Sequence, residues 1–220
     1  MKKIVISLGG SVIIPDEVDT KFLKKFKKLI DKYSKKDRFI IICGGGKLAR
    51  KLQNEARKIK GTTHKDLDWL GIYATRINAL TLKKLFKVKK EIIIDPTEKI
   101  ISDERVLIAA GWKPGFSTDY DAVILAKNIG ASIVVNMTNV DYVYDKDPKL
   151  GGAKPIKEIE WKMLRKLVGS KWKPGLNMPF DPIASKEAEK LGLKAAIVGK
   201  DIGNLERFLK GKKFKGTLVR

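Results

Sequence analysis

Two glycine turns, each followed by a helical pattern, are the groups in this chain best placed to do chemistry. The first, Gly9-Gly10-Ser11, ends the apolar run Lys3–Leu8. The second, Gly44-Gly45-Gly46, ends Phe39–Cys43 and opens a segment carrying Lys47 and Arg50. Glycines let a phosphate approach the backbone. The first N–H groups of the following helix have no intrahelical acceptor and lie at the positive end of its dipole. Lys47 and Arg50, three residues apart, can face one side of the first turn and add a point charge and a bidentate fork. Neither turn is a Walker loop or a Gly-x-Gly-x-x-Gly fingerprint. An ordinary strand-to-helix turn explains Gly9-Gly10 equally well when it is taken alone. Two such turns in a small domain suit a phosphate donor and a phosphate acceptor.

Two more segments point the same way. Ser117-Thr118-Asp119 follows a strand and the turn Pro114-Gly115. Thr118 or Asp119 is expected to cap a helix, and the cap hydroxyl and free amides could hold a second phosphate. Asn136 to Pro148 again follows a strand and mixes aromatic and amide groups that can sandwich and hydrogen-bond a purine.

The elements that must position these groups alternate regularly. Strands are expected at Lys3–Leu8, Phe39–Cys43, Glu91–Ile94, Val106–Ala109, Ile133–Met137 and Ala195–Val198. Helices are expected from a cap at Asp19 or Thr20 to about Tyr33, at Lys47–Lys58, at Asp66–Phe86, from about Thr118 to Asn128, and at Trp161–Val168, Asp181–Gly192 and Gly203–Lys210. Lys171 to Pro179 reads as a polar loop. Alternating strands and helices give an α/β class, a three-layer αβα sandwich around a largely parallel sheet. With 220 residues and no internal repeat or linker, the chain reads as one domain, 1–220. Ligands of such sheets bind at the carboxyl ends of the strands, where both glycine turns fall.

Composition narrows the classes. The net charge of +22 invites a nucleic-acid reading, yet 39 of the 47 basic residues are Lys and only 8 are Arg. Lysines such as Lys24, Lys25, Lys27 and Lys28 flank apolar residues at helical spacing, which makes them a solvated helix face. No specific nucleic-acid partner is expected. The single Cys43 excludes an internal disulfide and reads as a buried thiol. No run reaches the roughly 18 apolar residues of a membrane helix, so no membrane partner and a cytoplasmic location are expected. The lone His64 sits in a polar turn and reads as solvated. Trp69, beside Asp68, could stack near a bound nucleotide, though core packing or a subunit contact is the reading its type favours. No Cys/His cluster supports a structural metal.

The motifs taken together resemble the amino acid kinase superfamily, and within it the archaeal-type UMP kinases. The segments that carry the resemblance are, in order, Ile6–Val12, Gly44–Arg50, Asp68–Ala79, Ser117–Asp119, Thr138–Pro148 and Asp181–Ala184. The resemblance implies an amino acid kinase-like fold and transfer of a phosphate from ATP to UMP with Mg²⁺, in pyrimidine nucleotide biosynthesis. The acceptor side would lie in the N-terminal part and the ATP side from about residue 130. Gly9, Gly10 and Ser11 would contact the ATP phosphates, and Thr138, Asn139, Tyr144 and Asp147 would frame ATP. Gly45, Gly46 and Arg50 would hold the UMP phosphate. Asp68 would bind its ribose, and Gly71, Thr75 and Thr118 would complete that site. Asp119 would orient catalytic groups or Mg²⁺ water, and Asp181 would lie near the transferred group. Relatives of this type suggest a homohexamer built as a trimer of dimers.

The chain also departs from the pattern. Most superfamily members carry a catalytic lysine two residues before the first glycine, where this chain has Ser7. Archaeal-type UMP kinases also lack it, and Lys47 is the natural substitute as the main transition-state cation. Lys173 is a candidate second cation or a solvated loop lysine. The stretch from Leu82 to Gly111 looks short, Tyr142 replaces a common glycine, and Tyr120-Asp121 stands where small residues are usual. The alternatives are another small-molecule kinase on this fold, or a non-catalytic nucleotide-binding or storage protein.

Overall fold

Runs of β-branched residues form the middle of the molecule because they pack on both faces of a pleated surface. The computed structural model describes residues 1–147, 151–169 and 179–220. Strands β1 (Lys3–Leu8), β2 (Arg38–Cys43), β3 (Val106–Ala109), β4 (Ile133–Met137), β7 (Glu158–Ile159), β8 (Lys194–Val198) and β9 (Thr217–Val219) make one sheet in the order β3-β2-β1-β4-β8-β9-β7. Every pairing is parallel except β8 with β9. A two-stranded ribbon, β5 (Val143–Tyr144) with β6 (Pro155–Ile156), stands apart.

Alternation along the strands divides the core in two. Val5, Ile40, Ile42 and Leu107 pack under α5 (Thr118–Ile129), α6 (Trp161–Val168) and α7 (Pro182–Lys190). Ile6, Leu8, Ile41 and Cys43 pack under α1 (Gly10–Ile13), α2 (Thr20–Ser34), α4 (His64–Phe86) and α8 (Ile202–Leu209). These are the layers expected of an αβα sandwich. Truncating a fully buried residue here, such as Ile41 to Ala, costs about 2–5 kcal/mol in such cores.

Register brings the strand ends level. Leu8 lies beside Cys43 on one side and Met137 on the other, and Met137 lies beside Val198. The turns at Gly9, Gly44 and Thr138 therefore leave the sheet in one row. Helix α3 (Gly46–Ala56) starts directly from the second turn.

Two expectations are corrected, and one strand is added. Glu91–Ile94 is not a strand: only Ile93 bridges to Ala109, through Ile93 N to Ile108 O and Ala110 N to Ile93 O. The Glu104 carboxylate takes the N–H groups of Lys89 and Lys90 just before it, and Pro96, which has no N–H, follows just after. Helix α5 is capped by Ser117, whose hydroxyl accepts from Tyr120 N, because the Asp119 side chain is turned to other partners. Strand β9 escaped the sequence because three residues carry too little periodicity. Lys173 lies outside the described residues. Among the described residues no helix is long and apolar enough to cross a membrane.

Candidate active site

The two glycine turns touch. A Cβ on Gly10 would lie 2.4 Å from Gly44 O and 2.5 Å from both Gly45 C and Gly46 N. A Cβ on Gly46 would lie 2.2 Å from Ser11 N, and Gly46 has φ +60°, which only glycine adopts without strain. Each turn is tied down separately. Gly9 N donates to Met137 O at 2.9 Å and Gly44 N to Leu8 O at 2.9 Å. The starts of α1 and α3 thus converge, with the unpaired N–H groups of both first turns at one place.

Arg50 bridges the turns: its Nη2 donates to Ser11 Oγ at 2.9 Å. The expected UMP-phosphate ligand and an expected ATP-phosphate ligand are therefore neighbours. Lys47 is largely exposed, and its Nζ lies 2.9 and 3.1 Å from the two carboxylate oxygens of Asp16, in the segment between α1 and α2.

Two carboxylates face each other across the same edge. The Asp119 Oδ1 accepts from Ser7 Oγ at 3.1 Å and from Asn136 Nδ2 at 3.3 Å, and its Oδ2 accepts from Asp181 N at 3.1 Å. Ser7 and Asn136 are adjacent in the register of β1 and β4, which aims both side chains at one point. Removal from water, then the neighbouring Asp181 charge, push the Asp119 carboxyl up to about 7. Asp181 is buried and caps α7 through Ile183 N and Ala184 N, and burial raises its carboxyl as well. Asp121, two residues after Asp119, is fully buried. Its Oδ2 accepts from Trp112 N at 3.1 Å while its Oδ1 has no hydrogen-bond partner among the described residues, and desolvation raises it to about 8.

On the acceptor side, helix α4 supplies the wall. Asp68 Oδ2 accepts from Gly115 N at 2.9 Å, and partial burial raises its carboxyl despite that bond. Thr75 is buried; its Oγ1 donates to Ile72 O and accepts from Gly111 N at 2.8 Å. Its hydroxyl is thus engaged in joining α4 to the loop before α5. Gly71 admits the Gln53 side chain, whose Nε2 would stand 2.8 Å from a Cβ there, and Gly71 O would lie 3.2 Å from a Cβ on Gly45. Thr118 is half-buried in the first turn of α5.

The donor side is looser. Thr138 borders the first turn, its Cα 3.8 Å from a Cβ built on Gly9, and its Oγ1 accepts from Val140 N. Asn139 is exposed. Tyr144 belongs to the ribbon, where its ring meets Tyr142 edge-on at 6.3 Å. Asp147 is exposed at the end of the first described stretch. His64 is exposed and Cys43 is buried, its thiol pushed up by desolvation, as their sequence contexts implied.

Asn78 and Gln53 had no assigned role in the sequence, and Asn136, read there only as part of the purine-binding segment, instead donates to Asp119 Oδ1 and Pro179 O. Asn78 is fully buried, and its Nδ2 donates to Gly44 O at 2.7 Å, anchoring the second turn. Gln53 ties α3 to α4 through Leu67 O at 2.9 Å. The available signal was polarity on an apolar face: Asn78 falls one turn after Ala74, and Gln53 one turn after Ala49.

Residues 2–199 match the family model described as the amino acid kinase family. The chain is 37% identical to the uridylate kinase of Thermoplasma volcanium over 96% of its own length and 94% of the relative's. It is 35% identical to that of Pyrococcus abyssi, with 99% of each chain covered. The crystal structure of uridylate kinase from Archaeoglobus fulgidus superposes with a TM-score of 0.84 at 32% identity, covering 100% of both chains.

Proposed function

The chain belongs to the amino acid kinase family, and from that premise we propose that it is a nucleoside monophosphate kinase that phosphorylates UMP to UDP with ATP. The observation that carries the reading is the abutment of the two glycine turns, which puts two anion cradles within one phosphate's reach of each other.

Phosphoryl transfer asks for alignment and for cations or N–H groups on the equatorial oxygens, with little other chemistry from the protein. Gly9, Gly10 and Ser11 present amides to the ATP phosphates, and Gly45, Gly46 and Arg50 grip the acceptor phosphate. Arg50, already bonded to Ser11, spans both. Lys47 leaves Asp16 to neutralise the transferred group. Asp68, Gly71, Thr75 and Thr118 form the UMP pocket, Thr75 by shaping the loop rather than by lending its occupied hydroxyl. Thr138, Asn139, Tyr144 and Asp147 frame ATP, and Lys173 is the second candidate cation.

The desolvated pair Asp119 and Asp181 fits Mg²⁺, which takes one or two carboxylates and completes its shell with water and phosphate. Among the described residues no larger acidic cluster exists to hold a metal. Mg²⁺ there would offset charge on the phosphates, and its presence would relieve the repulsion between the two carboxylates. Ser7 and Asn136 orient Asp119 in either case.

The whole chain, 1–220, works as one domain, with the ATP side from about residue 130. The reaction belongs to cytoplasmic pyrimidine biosynthesis. The assembly is a homo-oligomer, a hexamer by likeness to relatives, and α4 offers a contact face. Tyr73, Ile77 and Leu80 lie at i, i+4 and i+7 and are 54%, 47% and 58% exposed. Sedimentation showing only a 24.7 kDa species at assay concentration would remove the assembly proposal.

The test is ADP release from Mg-ATP with UMP, CMP, AMP or an acyl acceptor. UMP-dependent release is expected. Release only with another acceptor would make the chain a different kinase of this fold, and none with any acceptor would leave a nucleotide-binding or storage protein.

A further inference from the structure

Helix α2 carries its lysines in two distinct settings. Lys27 pairs with Asp31 on the same helix. Lys21, Lys25, Lys28 and Lys32 instead recur at i, i+4, i+7 and i+11, which stacks them along one face spanning about 16 Å of helix axis. That face is one wall of a groove of about 750 Å³ whose other wall is the start of α8. The groove lies outside the site described above, and its volume is in the range of small-molecule sites.

The acids in this groove are already engaged. Asp19 caps α2 through Phe22 N and lies 3.4 Å from Lys200. Asp201 caps α8 through Gly203 N and Asn204 N. Glu206 accepts from Lys32 and pairs with Lys210, and those lysines hold its carboxyl down to about 2. Lys21, Lys25 and Lys28 are exposed and have no carboxylate in ion-pair range among the described residues. Lys21 acts on Asp19 only through space, helping to lower its carboxyl, so three ammonium groups line one wall without a direct carboxylate partner among the described residues, and like charges at i, i+4 repel. Phe22, Leu29 and Ile202 supply apolar surface between them.

We propose that the groove between α2 and α8 is a second anion site, separate from the two glycine turns, that takes a linear chain of phosphates. A single phosphate can meet two adjacent lysines at most, whereas a chain can run along Lys21, Lys25 and Lys28. The groups are lysines, which bind phosphate as point charges and do not read planar forks, so the site selects charge density rather than a particular base. A concave groove two helices wide does not admit a flat lipid surface or a duplex. Inorganic polyphosphate and a nucleoside polyphosphate share the recognised chemistry.

Calorimetry on the full chain, with the active site filled by ADP and UMP, tests the site with sodium tripolyphosphate and, in a parallel arm, CTP. Wild type is expected to bind tripolyphosphate at one remaining site. Lys25→Glu/Lys28→Glu is expected to weaken that binding by at least roughly tenfold while leaving turnover with UMP unchanged. A control with the same charge change elsewhere, Lys99→Glu/Lys157→Glu, should weaken it by less than about threefold. Tighter binding of CTP than of tripolyphosphate would identify a nucleoside polyphosphate as the occupant, and the reverse an inorganic chain. Three results overturn the proposal. They are absence of a second site, equal weakening in the control, and a single-stranded RNA whose binding needs Lys25 and Lys28 when tripolyphosphate does not bind.

Discussion

Gly10→Ala isolates the contact between the two turns. Gly10 is not in the left-handed region, so alanine meets no backbone strain there. It opens α1, where alanine is favoured over glycine by up to about 1 kcal/mol. If the turns were merely near each other, the substitution would stabilise the protein. The structure reverses the sign. The new methyl would fall 2.4 to 2.5 Å from Gly44 O, Gly45 C and Gly46 N, all main-chain atoms that cannot rotate away. Ordinary contact needs about 1 Å more. The turns cannot drift apart freely, since Met137 O, Leu8 O and Asn78 hold them. Overpacking of this kind costs about 1–3 kcal/mol, which at this size lowers Tm by roughly 2–4 °C per kcal/mol. An ångström of separation between donor and acceptor cradles should also lower turnover by about a hundredfold. Differential scanning fluorimetry and ADP release read the two effects. A Tm at or above wild type with kcat within twofold would refute the claim that the turns are packed backbone to backbone.

Other perturbations probe the supports. Asn78→Ala leaves Gly44 O without its buried donor and opens a small void, so a loss of about 2–4 kcal/mol in urea unfolding and a raised KM for UMP are expected; an unchanged KM would detach Asn78 from the acceptor turn. Asp121 is raised to about 8 and Asp119 to about 7, so between about pH 4 and pH 8 the folded chain holds protons that the unfolded chain releases. Stability from these groups is therefore present in acid and lost as pH rises through that window. Asp121→Asn should flatten the fall in Tm between pH 5.5 and 8.5, and an unaltered slope would show that Asp121 is not the titrating group. Lys47→Ala should lower kcat by about 10²–10³-fold, the scale of losing one transition-state donor. Asp16→Ala, which removes only an exposed ion pair, should change stability by under about 1 kcal/mol; near-normal turnover in Lys47→Ala would end its role as the main cation.

Most of the site's parts were readable one at a time. Strand, glycine turn and helix start are local patterns, set by side-chain periodicity and by the special backbone freedom of glycine, so Lys3–Leu8 with Gly9-Gly10 and Phe39–Cys43 with Gly44-Gly45-Gly46 stand out in the sequence. Glu91–Ile94 misled because an apolar tetrapeptide looks like a strand whether or not its N–H groups find a ladder. Ser117 rather than Thr118 caps α5 because Asp119 is drawn inward by Ser7, Asn136 and Asp181, residues 112, 17 and 62 positions away. No local pattern carries those distances.

The sequence by itself therefore determined the elements, the residue types able to hold phosphate, and the absence of a lysine at Ser7. Only the tertiary structure decided that the two turns touch, that Arg50 bonds Ser11, and that three aspartates share one desolvated corner. Those outcomes depend on register between strands far apart in the chain, where Leu8, Cys43 and Met137 align in one row. Periodicity specifies which face a side chain takes. It does not specify which other strand end arrives beside it, and the electrostatics of Asp119, Asp121 and Asp181 follow from that arrival.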